Sequence, residues 1–351
     1  MLILPEQINK ILMVTITHIG DIVLSCPTTR ALKKYFPHAE IDMLVSMPQG
    51  EAAFHNPHVS NVIFYGIENW QRDRAKLMKL IQALRQKKYD LALSSRHGSA
   101  DPMMAFLSGA VYRAGFDTHG GGKFLTHMLP LDPIVIRHET EYQLALLAML
   151  GITSEDTNIE FLVSDEEESS LNMKLPRLQD NGRPIVLLCP FSDDPQKNWT
   201  DNGYVEVLRT LAEFADCYLL GSLRQLTALR SINTAAGNVA EVLGGLLSLG
   251  ELAALIRAAD LLITVDTGPM HIAQAFSTPV VALMGPTDPR VWGPRNPGDV
   301  VLTKPMECAP CWHKDESIKK SCRFNECMWR IRPDDVIKAA TGILTVSAKT
   351  P

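Results

Sequence analysis

The sequence of 351 residues has neither an excess of positive charge nor an apolar run long enough to span a membrane. Its 34 lysines and arginines are outnumbered by 39 acidic residues, and the net charge is −5. This balance gives no broad electrostatic reason to expect nucleic acid as a partner. Residues 1–10 also lack the pattern of a signal peptide. We therefore expect a cytoplasmic protein that binds no nucleic acid.

Cysteine is also scarce. The chain has 7 cysteines, an odd number that fits reduced thiols better than a disulfide framework. Four of them have nearly the spacing of a four-thiolate metal site, namely Cys308, Cys311, Cys322 and Cys327. Two interpretations remain open at this point. We expect reduced thiols, or a loop prone to disulfide formation, and keep bound zinc or iron as the alternative.

Two phosphate-binding patterns are missing. The turn after the first predicted strand, residues 18–21, has one glycine instead of the three in Gly-x-Gly-x-x-Gly, which disfavours an NAD oxidoreductase. The loop Gly120-Gly121-Gly122-Lys123 lacks the serine or threonine and the upstream glycine of a nucleoside-triphosphate loop. The sequence therefore favours neither of these two classes.

What is present is the alternation of short strands and helices that is typical of a parallel α/β sheet. Hydrophobic residues make up 46% and charged residues 21% of the chain, as in globular proteins. We predict strands over residues 11–17, 40–46, 59–66, 89–95, 111–115, 184–189, 217–220, 260–265 and 280–284. We predict helices over residues 22–35, 70–88, 100–110, 138–150, 203–215 and 249–259, and another after residue 268.

The length favours two domains. Residues 164–184 are polar and charged, so we place a linker at 166–183. The predicted domains are 1–165 and 184–351, each Rossmann-like, and it is left open whether the last helix packs back on the first domain. Ligands of such sheets bind at the carboxyl ends of the strands, so we expect one in a cleft between the domains.

Residues 263–290 carry the most informative pattern. A buried strand ends at Asp266-Thr267-Gly268, and Pro269 stands where a helix would begin. The N-terminus of that helix offers N–H groups and a positive dipole end, which suits a phosphate. The same pattern also fits an ordinary βαβ unit with a capping aspartate and a core histidine, His271.

Several segments together resemble the bacterial ADP-heptose:lipopolysaccharide heptosyltransferases, glycosyltransferase family 9. They are residues 18–21 (His-Ile-Gly-Asp), 197–199 (Lys-Asn-Trp), 248–256, 266–273 (Asp-Thr-Gly-Pro-Met-His-Ile-Ala) and 285–289 (Gly-Pro-Thr-Asp-Pro). The resemblance covers nearly the whole chain, in order. It implies an α/β fold of the GT-B architecture, with two Rossmann-like domains whose parallel sheets face a central cleft. It also implies an inverting glycosyltransferase whose C-terminal domain holds the ADP-sugar and whose N-terminal domain holds the acceptor.

The resemblance also implies roles for individual residues. Asp21 falls at the position of the catalytic base, and Lys197 at that of the lysine that meets the diphosphate. The remaining donor-binding positions are Ser192, Gln225, Leu247, Asp266, Thr267, Gly268 and His271. Gln225 departs from the family, which often has a glutamate there for the ribose hydroxyls. A neutral amide loses the charge-assisted hydrogen bond, so the nucleotide preference stays open.

The implied roles agree with the needs of the chemistry. Inversion needs one base to take the proton of the attacking hydroxyl, which Asp21 can supply. The leaving diphosphate needs cations and N–H donors more than an acid, which Lys197 and the Thr267-Gly268 amides can supply. No metal and no cofactor beyond the donor substrate is expected. For Asp21 the alternative is a helix N-cap.

We therefore predict transfer of a heptose from ADP-heptose to the inner core of lipopolysaccharide by a monomer at the inner face of the inner membrane. The alternatives are another nucleotide-linked sugar, a protein acceptor, or nucleotide-sugar binding without turnover. The acceptor is acidic, so we predict that Arg96, His97 and Lys123 bind it, the alternative being that they are solvated surface residues. Residues 120–131 are the predicted membrane contact.

Overall fold

Two six-stranded parallel sheets form the framework of the chain, one in each of two units, Met1–Glu160 and Phe161–Pro351. The computed structural model describes residues 8–68, 72–95, 100–130, 135–176, 178, 182–311, 322 and 324–347. Within these residues no helix is both long and apolar enough to cross a membrane.

The first sheet has the strand order β3-β2-β1-β4-β5-β6. Its strands are β1 (Lys10–Thr15), β2 (Glu40–Ser46), β3 (Asn61–Tyr65), β4 (Leu91–Ser94), β5 (Tyr112–Phe116) and β6 (His127–Leu129). The helices of this unit are α1 (Ile19–Leu24), α2 (Cys26–Tyr35), α3 (Arg74–Lys87), α4 (Ala100–Leu107) and α5 (Glu139–Met149). Short 3₁₀ helices lie at Gln49–His55 and Gly122–Phe124.

The second sheet has the order β12-β11-β10-β7-β8-β9, which repeats the connectivity of the first. Its strands are β7 (Ile185–Cys189), β8 (Asp216–Leu219), β9 (Ala240–Val242), β10 (Leu261–Val265), β11 (Val280–Leu283) and β12 (Val300–Leu302). Its helices are α6 (Asp165–Lys174), α7 (Asp201–Leu211), α8 (Leu226–Ala236), α9 (Leu249–Ala258), α10 (Gly268–Phe276), α11 (Pro289–Trp292), α12 (Glu326–Trp329) and α13 (Pro333–Ser347). Short 3₁₀ helices lie at Pro195–Lys197 and Leu223–Gln225.

The central strands are apolar on both faces. β1 has the sequence Lys-Ile-Leu-Met-Val-Thr and β10 the sequence Leu-Leu-Ile-Thr-Val, and nearly all of these residues are buried. A run of β-branched and aliphatic residues without alternation is expected where helices cover both faces of a parallel sheet. In each sheet the strand order reverses between two central strands, β1 and β4 or β7 and β10. The loops after these strands are where such sheets bind ligands.

The predicted helix over residues 22–35 is wrong as one continuous element. The structure has α1 and α2 there, separated at Ser25, whose hydroxyl donates to the carbonyl of Ile22 at 2.6 Å. Pro27 lacks the N–H that a continuous helix would need in this turn, so the chain begins a new helix.

The structure also has elements that the sequence analysis did not predict. The edge strands β6 and β9 are three residues long and only partly buried, so they carry little periodicity. Helix α6 begins at a Ser164 capping box, extends into the predicted linker and contacts α9. The last helix, α13, packs on α7 and on strands β10–β12 of its own unit. A polar composition therefore did not prevent helix formation, because the acidic first turn of α6 suits its N-terminus.

Candidate active site

Lys197 and Asp266 meet at the carboxyl end of the second sheet. The Nζ atom of Lys197 lies 2.9 Å from Oδ2 of Asp266, and the two side chains are 15% and 6% exposed. Asp266 follows β10 directly, and Lys197 lies in the loop after β7. These strands are neighbours, and parallel strands end at the same edge, so residues 69 apart in sequence are brought together.

A set of hydrogen bonds holds the loop that carries Lys197. Asp194 caps its short helix, and the N–H of Ser192 donates to Oδ1 of Asn198 at 2.8 Å. The side-chain amide of Asn325 donates to the carbonyl of Asn198 at 2.7 Å. Hydrogen bonds therefore hold the loop both before and after Lys197 in the sequence.

The N-terminus of α10 lies immediately after Asp266. Thr267 is the N-cap residue but makes no side-chain capping hydrogen bond, and Pro269 occupies the first turn. Gly268 is the first helical residue, so no side chain blocks an approach to its amide. The end of this helix can therefore offer backbone N–H groups and its positive dipole to an anion.

His271 is the third polar side chain of this group. It is 3% exposed, and its Nε2 atom lies 3.8 Å from Oδ1 of Asp266. Its Nδ1 atom lies 3.3 Å from the side-chain nitrogen of Gln274. Asp266 therefore has Lys197 beside one oxygen and His271 near the other, which orients the carboxylate and positions the lysine ammonium.

Asp21 lies in the loop region after β1, in the first turn of α1. The N-cap residue of this helix is His18, which makes no side-chain capping bond, so Asp21 is not the N-cap. Its Oδ2 atom accepts a hydrogen bond from the Thr17 hydroxyl at 2.6 Å. The backbone carbonyl of Thr17 in turn accepts the Ser46 hydroxyl at 2.6 Å, which ties this turn to the end of β2. The carboxylate is half-buried and held by a neutral donor.

Two further predicted donor residues lie at the ends of neighbouring elements in the second unit. The side-chain oxygen of Gln225 accepts the N–H of Ser222 at 2.9 Å, just after β8, and closes a capping box. Leu247 lies in the turn that precedes α9 and is half-buried. The carbonyl oxygen of Gln225 is thus used locally, and its amide NH₂ is the group it can offer to a ligand.

Of the predicted acceptor residues, Arg96 and His97 lie outside the described residues. Lys123 is exposed on the short helix Gly122–Phe124, and its Nζ atom lies 5.1 Å from the centre of the Phe124 ring. Lys123 therefore lies at the surface of the first unit, and its role stays a prediction.

The four C-terminal cysteines line one cavity of about 380 Å³, next to Gln196 and Pro286. Burial and the nearby thiols of the other three raise the pKa of Cys327 to about 11. Among the described residues, the group whose ligand atoms lie within 4.8 Å of one another is a different one, Cys26, His58 and Glu160. There Arg30 donates to Glu160 at 2.7 Å, so a second cation would be repelled. The four cysteines therefore share one cavity in the described part of the chain, and whether they hold a metal stays a prediction.

Some polar groups around these residues were not predicted from the sequence. Thr17 is four residues before Asp21 in the sequence, and this short separation could have suggested a hydrogen bond between the hydroxyl and the carboxylate. Asn325 had no local signal, because it is 127 residues from its partner Asn198. In the part of the chain that the structure describes, the buried hydroxyl of Thr287 has no hydrogen-bond partner. It belongs to the Gly-Pro-Thr-Asp-Pro turn after β11.

Comparison with known proteins identifies the family. The family "Glycosyltransferase family 9 (heptosyltransferase)" matches residues 77–322. The chain is 28% identical to lipopolysaccharide heptosyltransferase 3 of Escherichia coli, over 78% of this chain and 83% of the relative. It is 27% identical to lipopolysaccharide heptosyltransferase 2 of Escherichia coli strain K12, over 80% of this chain and 84% of the relative.

Solved structures share the fold. A glycosyl transferase family 9 protein from Veillonella parvula DSM 2008 is similar with a TM-score of 0.81 and 22% identity, covering 97% of this chain and 99% of the other. The ADP-heptose lps heptosyltransferase II of E. coli is similar with a TM-score of 0.79 and 22% identity, with the same coverage. The predicted α/β fold of the GT-B architecture is confirmed.

Proposed function

The chain belongs to glycosyltransferase family 9, the heptosyltransferases, and from this premise we propose that it transfers a heptose from ADP-heptose to the inner core of lipopolysaccharide. Relatives that cover most of its length are named lipopolysaccharide heptosyltransferases. The observation that carries the proposal is the pairing of Lys197 with Asp266 beside the N-terminus of α10. This arrangement provides one cation and one set of backbone N–H donors, which suits a diphosphate.

In this proposal Asp21 is the catalytic base. Attack by an acceptor hydroxyl on the anomeric carbon releases one proton, and a carboxylate within hydrogen-bond reach can take it. The bond to the acceptor oxygen forms as the bond to the diphosphate oxygen breaks, so the configuration at the anomeric carbon is inverted. The hydrogen bond from Thr17 to Oδ2 restricts the carboxylate and leaves Oδ1 for the acceptor hydroxyl.

Lys197 and the Thr267-Gly268 end of α10 stabilise the leaving group. Negative charge grows on the diphosphate as the glycosidic bond breaks, and preorganised donors stabilise that charge without reorganisation during the reaction. Asp266 holds the lysine ammonium in position through the contact of 2.9 Å. Ser192, at the start of the same loop, is the hydroxyl we assign to a phosphate oxygen, and His271 supports Asp266 from its other side.

The donor nucleoside occupies the ends of β8 and β9 in this proposal. The Gln225 amide NH₂ donates to a ribose hydroxyl, and the Leu247 peptide meets the edge of the adenine. A neutral amide makes a weaker hydrogen bond than the carboxylate that often occupies this position in the family. ADP remains the expected nucleotide, with somewhat weaker ribose recognition.

The reaction needs no metal and no cofactor besides the donor substrate in this proposal. A divalent ion held by the protein would need a carboxylate near the diphosphate, and Asp266, the carboxylate assigned there, already pairs with Lys197 at 2.9 Å. The lysine ammonium supplies the positive charge that a metal would otherwise contribute. Both proposed catalytic groups, Asp21 and Lys197, come from one chain, so no residue of a second copy is required, and we propose that the enzyme acts as a monomer.

An assay of sugar transfer tests the function. The purified protein, incubated with ADP-heptose and truncated lipopolysaccharide cores, should release ADP and add one heptose to an inner-core acceptor, detected by mass spectrometry. Rates with and without EDTA should agree. Transfer from another nucleotide-linked sugar only, transfer to a protein only, or ADP-heptose binding without product would each contradict the proposal in a different way.

We propose that the enzyme works in the cytoplasm and reaches its lipid-linked acceptor through a patch on the first unit. This patch, the Phe106–Phe124 patch, combines two rings 5.7 Å apart with the cations of Arg113 and Lys123 over them. Phe106 is 47% exposed, and Met128 nearby in the sequence is 45% exposed. Aromatic rings with adjacent cations suit the interface of an anionic membrane, although so few charges give weak binding.

Lys123→Ala should weaken binding of the acceptor without affecting the donor. We expect the acceptor KM to rise about threefold to tenfold, because a charge-assisted hydrogen bond to a phosphorylated core is lost. The donor KM should stay at the wild-type value. Sedimentation with anionic vesicles should also fall, and added salt should abolish the difference. The control is Lys76→Ala, which removes another exposed lysine of this unit, paired only loosely with Asp73 at 3.5 Å. Equal effects on both substrates would contradict the assignment.

A further inference from the structure

The segment Leu246–Ser248, which precedes α9, is fixed from outside by α6. The ammonium of Lys174 at the end of α6 donates to the carbonyl of Leu246 at 3.0 Å. The same ammonium pairs with the carboxylate of Glu251 at 2.7 Å. Glu251 is 4% exposed, and its Oε2 atom accepts the N–H of Ser248 at 2.7 Å. One ion pair therefore binds a backbone group on each side of Leu247.

The helices α6 and α9 are built to place this ion pair. Gly250 has no side chain, and a Cβ atom there would meet the carboxylate of Glu167 on α6, so the glycine permits the close approach of the two helices. Ser170 of α6 donates a second hydrogen bond to Glu251 at 2.5 Å. Burial acts to raise the pKa of Glu251, but the hydrogen bonds from Lys174, Ser170 and the Ser248 amide hold it at about 2. The carboxylate is thus ionised at neutral pH.

Leu247 itself is left available by this arrangement. The carbonyl of Leu246 accepts from Lys174, and the N–H of Ser248 donates to Glu251. In the described part of the chain, the N–H and C=O of Leu247 have no hydrogen-bond partner. A residue whose own N–H and C=O are both open presents one donor and one acceptor, which match the edge of adenine with its ring nitrogen and amino group. A rigid peptide in this position would not need to lose conformational entropy when the base binds.

We propose that Lys174 and Glu251 are positioning residues that preorganise the Leu247 peptide for the adenine of the donor. The inference rests on the proposed function, since it assumes an adenine nucleotide at this position. We call this pair of residues the Lys174–Glu251 clamp. The clamp gives α6 a function in nucleotide selection. It also explains why residues 248–251 combine a helix-capping serine, a glycine that lets α6 approach, and a buried glutamate.

Lys174→Met tests the clamp. The apolar side chain keeps the length of the lysine but can neither donate to Leu246 nor pair with Glu251. We expect the affinity for ADP to fall about tenfold, because a charged hydrogen-bond donor to the backbone is lost. Affinity for ribose 5-diphosphate, which has no base, should not change. At saturating ADP-heptose the kcat should equal that of wild type, so the effect is confined to the donor KM.

Two further variants separate positioning from general stability. Lys174→Arg keeps the charge and the donors, and should restore most of the ADP affinity. Arg257→Ala removes the ion pair of 2.9 Å with Glu168 that joins the same two helices elsewhere, and should leave ADP affinity unchanged. Calorimetric titration with ADP and with ribose 5-diphosphate measures all four proteins.

The outcomes distinguish the clamp from the function it rests on. If Lys174→Met binds ADP as well as wild type does, or loses ADP and ribose 5-diphosphate equally, the clamp is wrong. If wild type binds no adenine nucleotide at all, the proposed function is wrong. If Arg257→Ala weakens ADP binding as much as Lys174→Met, the effect comes from helix packing, and the positioning role is again wrong.

Discussion

Asp21→Asn should lower kcat by about 10²–10⁴, the usual contribution of a positioned general base. Asparagine keeps the shape of the side chain and can still accept the hydrogen bond from Thr17, but it cannot take the proton of the acceptor hydroxyl. The affinity for ADP should change little, because the diphosphate is assigned to groups of the other unit. Single-turnover rates at saturating ADP-heptose, together with ADP titrations, measure both quantities.

The competing explanation is that Asp21 only stabilises α1. A carboxylate in the first turn of a helix stabilises it through the helix dipole, typically by about 0.3–1 kcal/mol. Asp165→Asn, in the first turn of α6, removes a carboxylate of the same kind far along the sequence and serves as the control. The Asp165→Asn control should keep wild-type turnover and only lower the melting temperature. If Asp21→Asn did the same, the base would have to be another residue.

Much of the fold follows from local sequence. Runs of apolar and β-branched residues predict the buried strands β1, β2, β7 and β10, and the periodicity of apolar residues predicts the helices between them. Alternation of the two element types then leaves few arrangements besides a doubly wound sheet. The Asp266–Gly268 turn could also be located, since a strand followed by Thr-Gly-Pro predicts a helix N-terminus at a ligand-binding edge.

The rest depends on contacts between distant residues. Nothing near Lys197 in the sequence indicates that its partner is Asp266, 69 residues away. The polar sequence of α6 has no apolar face from which a packed helix could be predicted. The helix is held to α9 by hydrogen bonds from Lys174 and Ser170 to Glu251. Polar contacts of this kind leave no periodic signal, so a linker was predicted where a helix forms.

Lys197→Ala should weaken ADP binding and also slow the chemical step, unlike Asp21→Asn. The lysine meets charge on the diphosphate both when the donor is bound and when the glycosidic bond breaks. We expect the Kd for ADP to rise about tenfold to a hundredfold, as for loss of a charged hydrogen bond. We expect kcat to fall by about 10²–10³, as for loss of a donor to a developing anion. Lys304→Ala, which removes the lysine of a half-buried pair with Asp335 in the same unit, should change neither.

The ion pair with Asp266 allows the two effects to be separated. In Lys197→Ala the buried carboxylate of Asp266 loses its cation and repels the incoming diphosphate. Asp266→Asn in the same chain removes that repulsion, so the double variant should recover part of the ADP affinity. It should not recover kcat, because the charge that stabilises the leaving group is still absent. Recovery of kcat in the double variant would contradict a direct role for Lys197 in the transition state. An unchanged Kd for ADP in Lys197→Ala would show that the lysine does not meet the diphosphate.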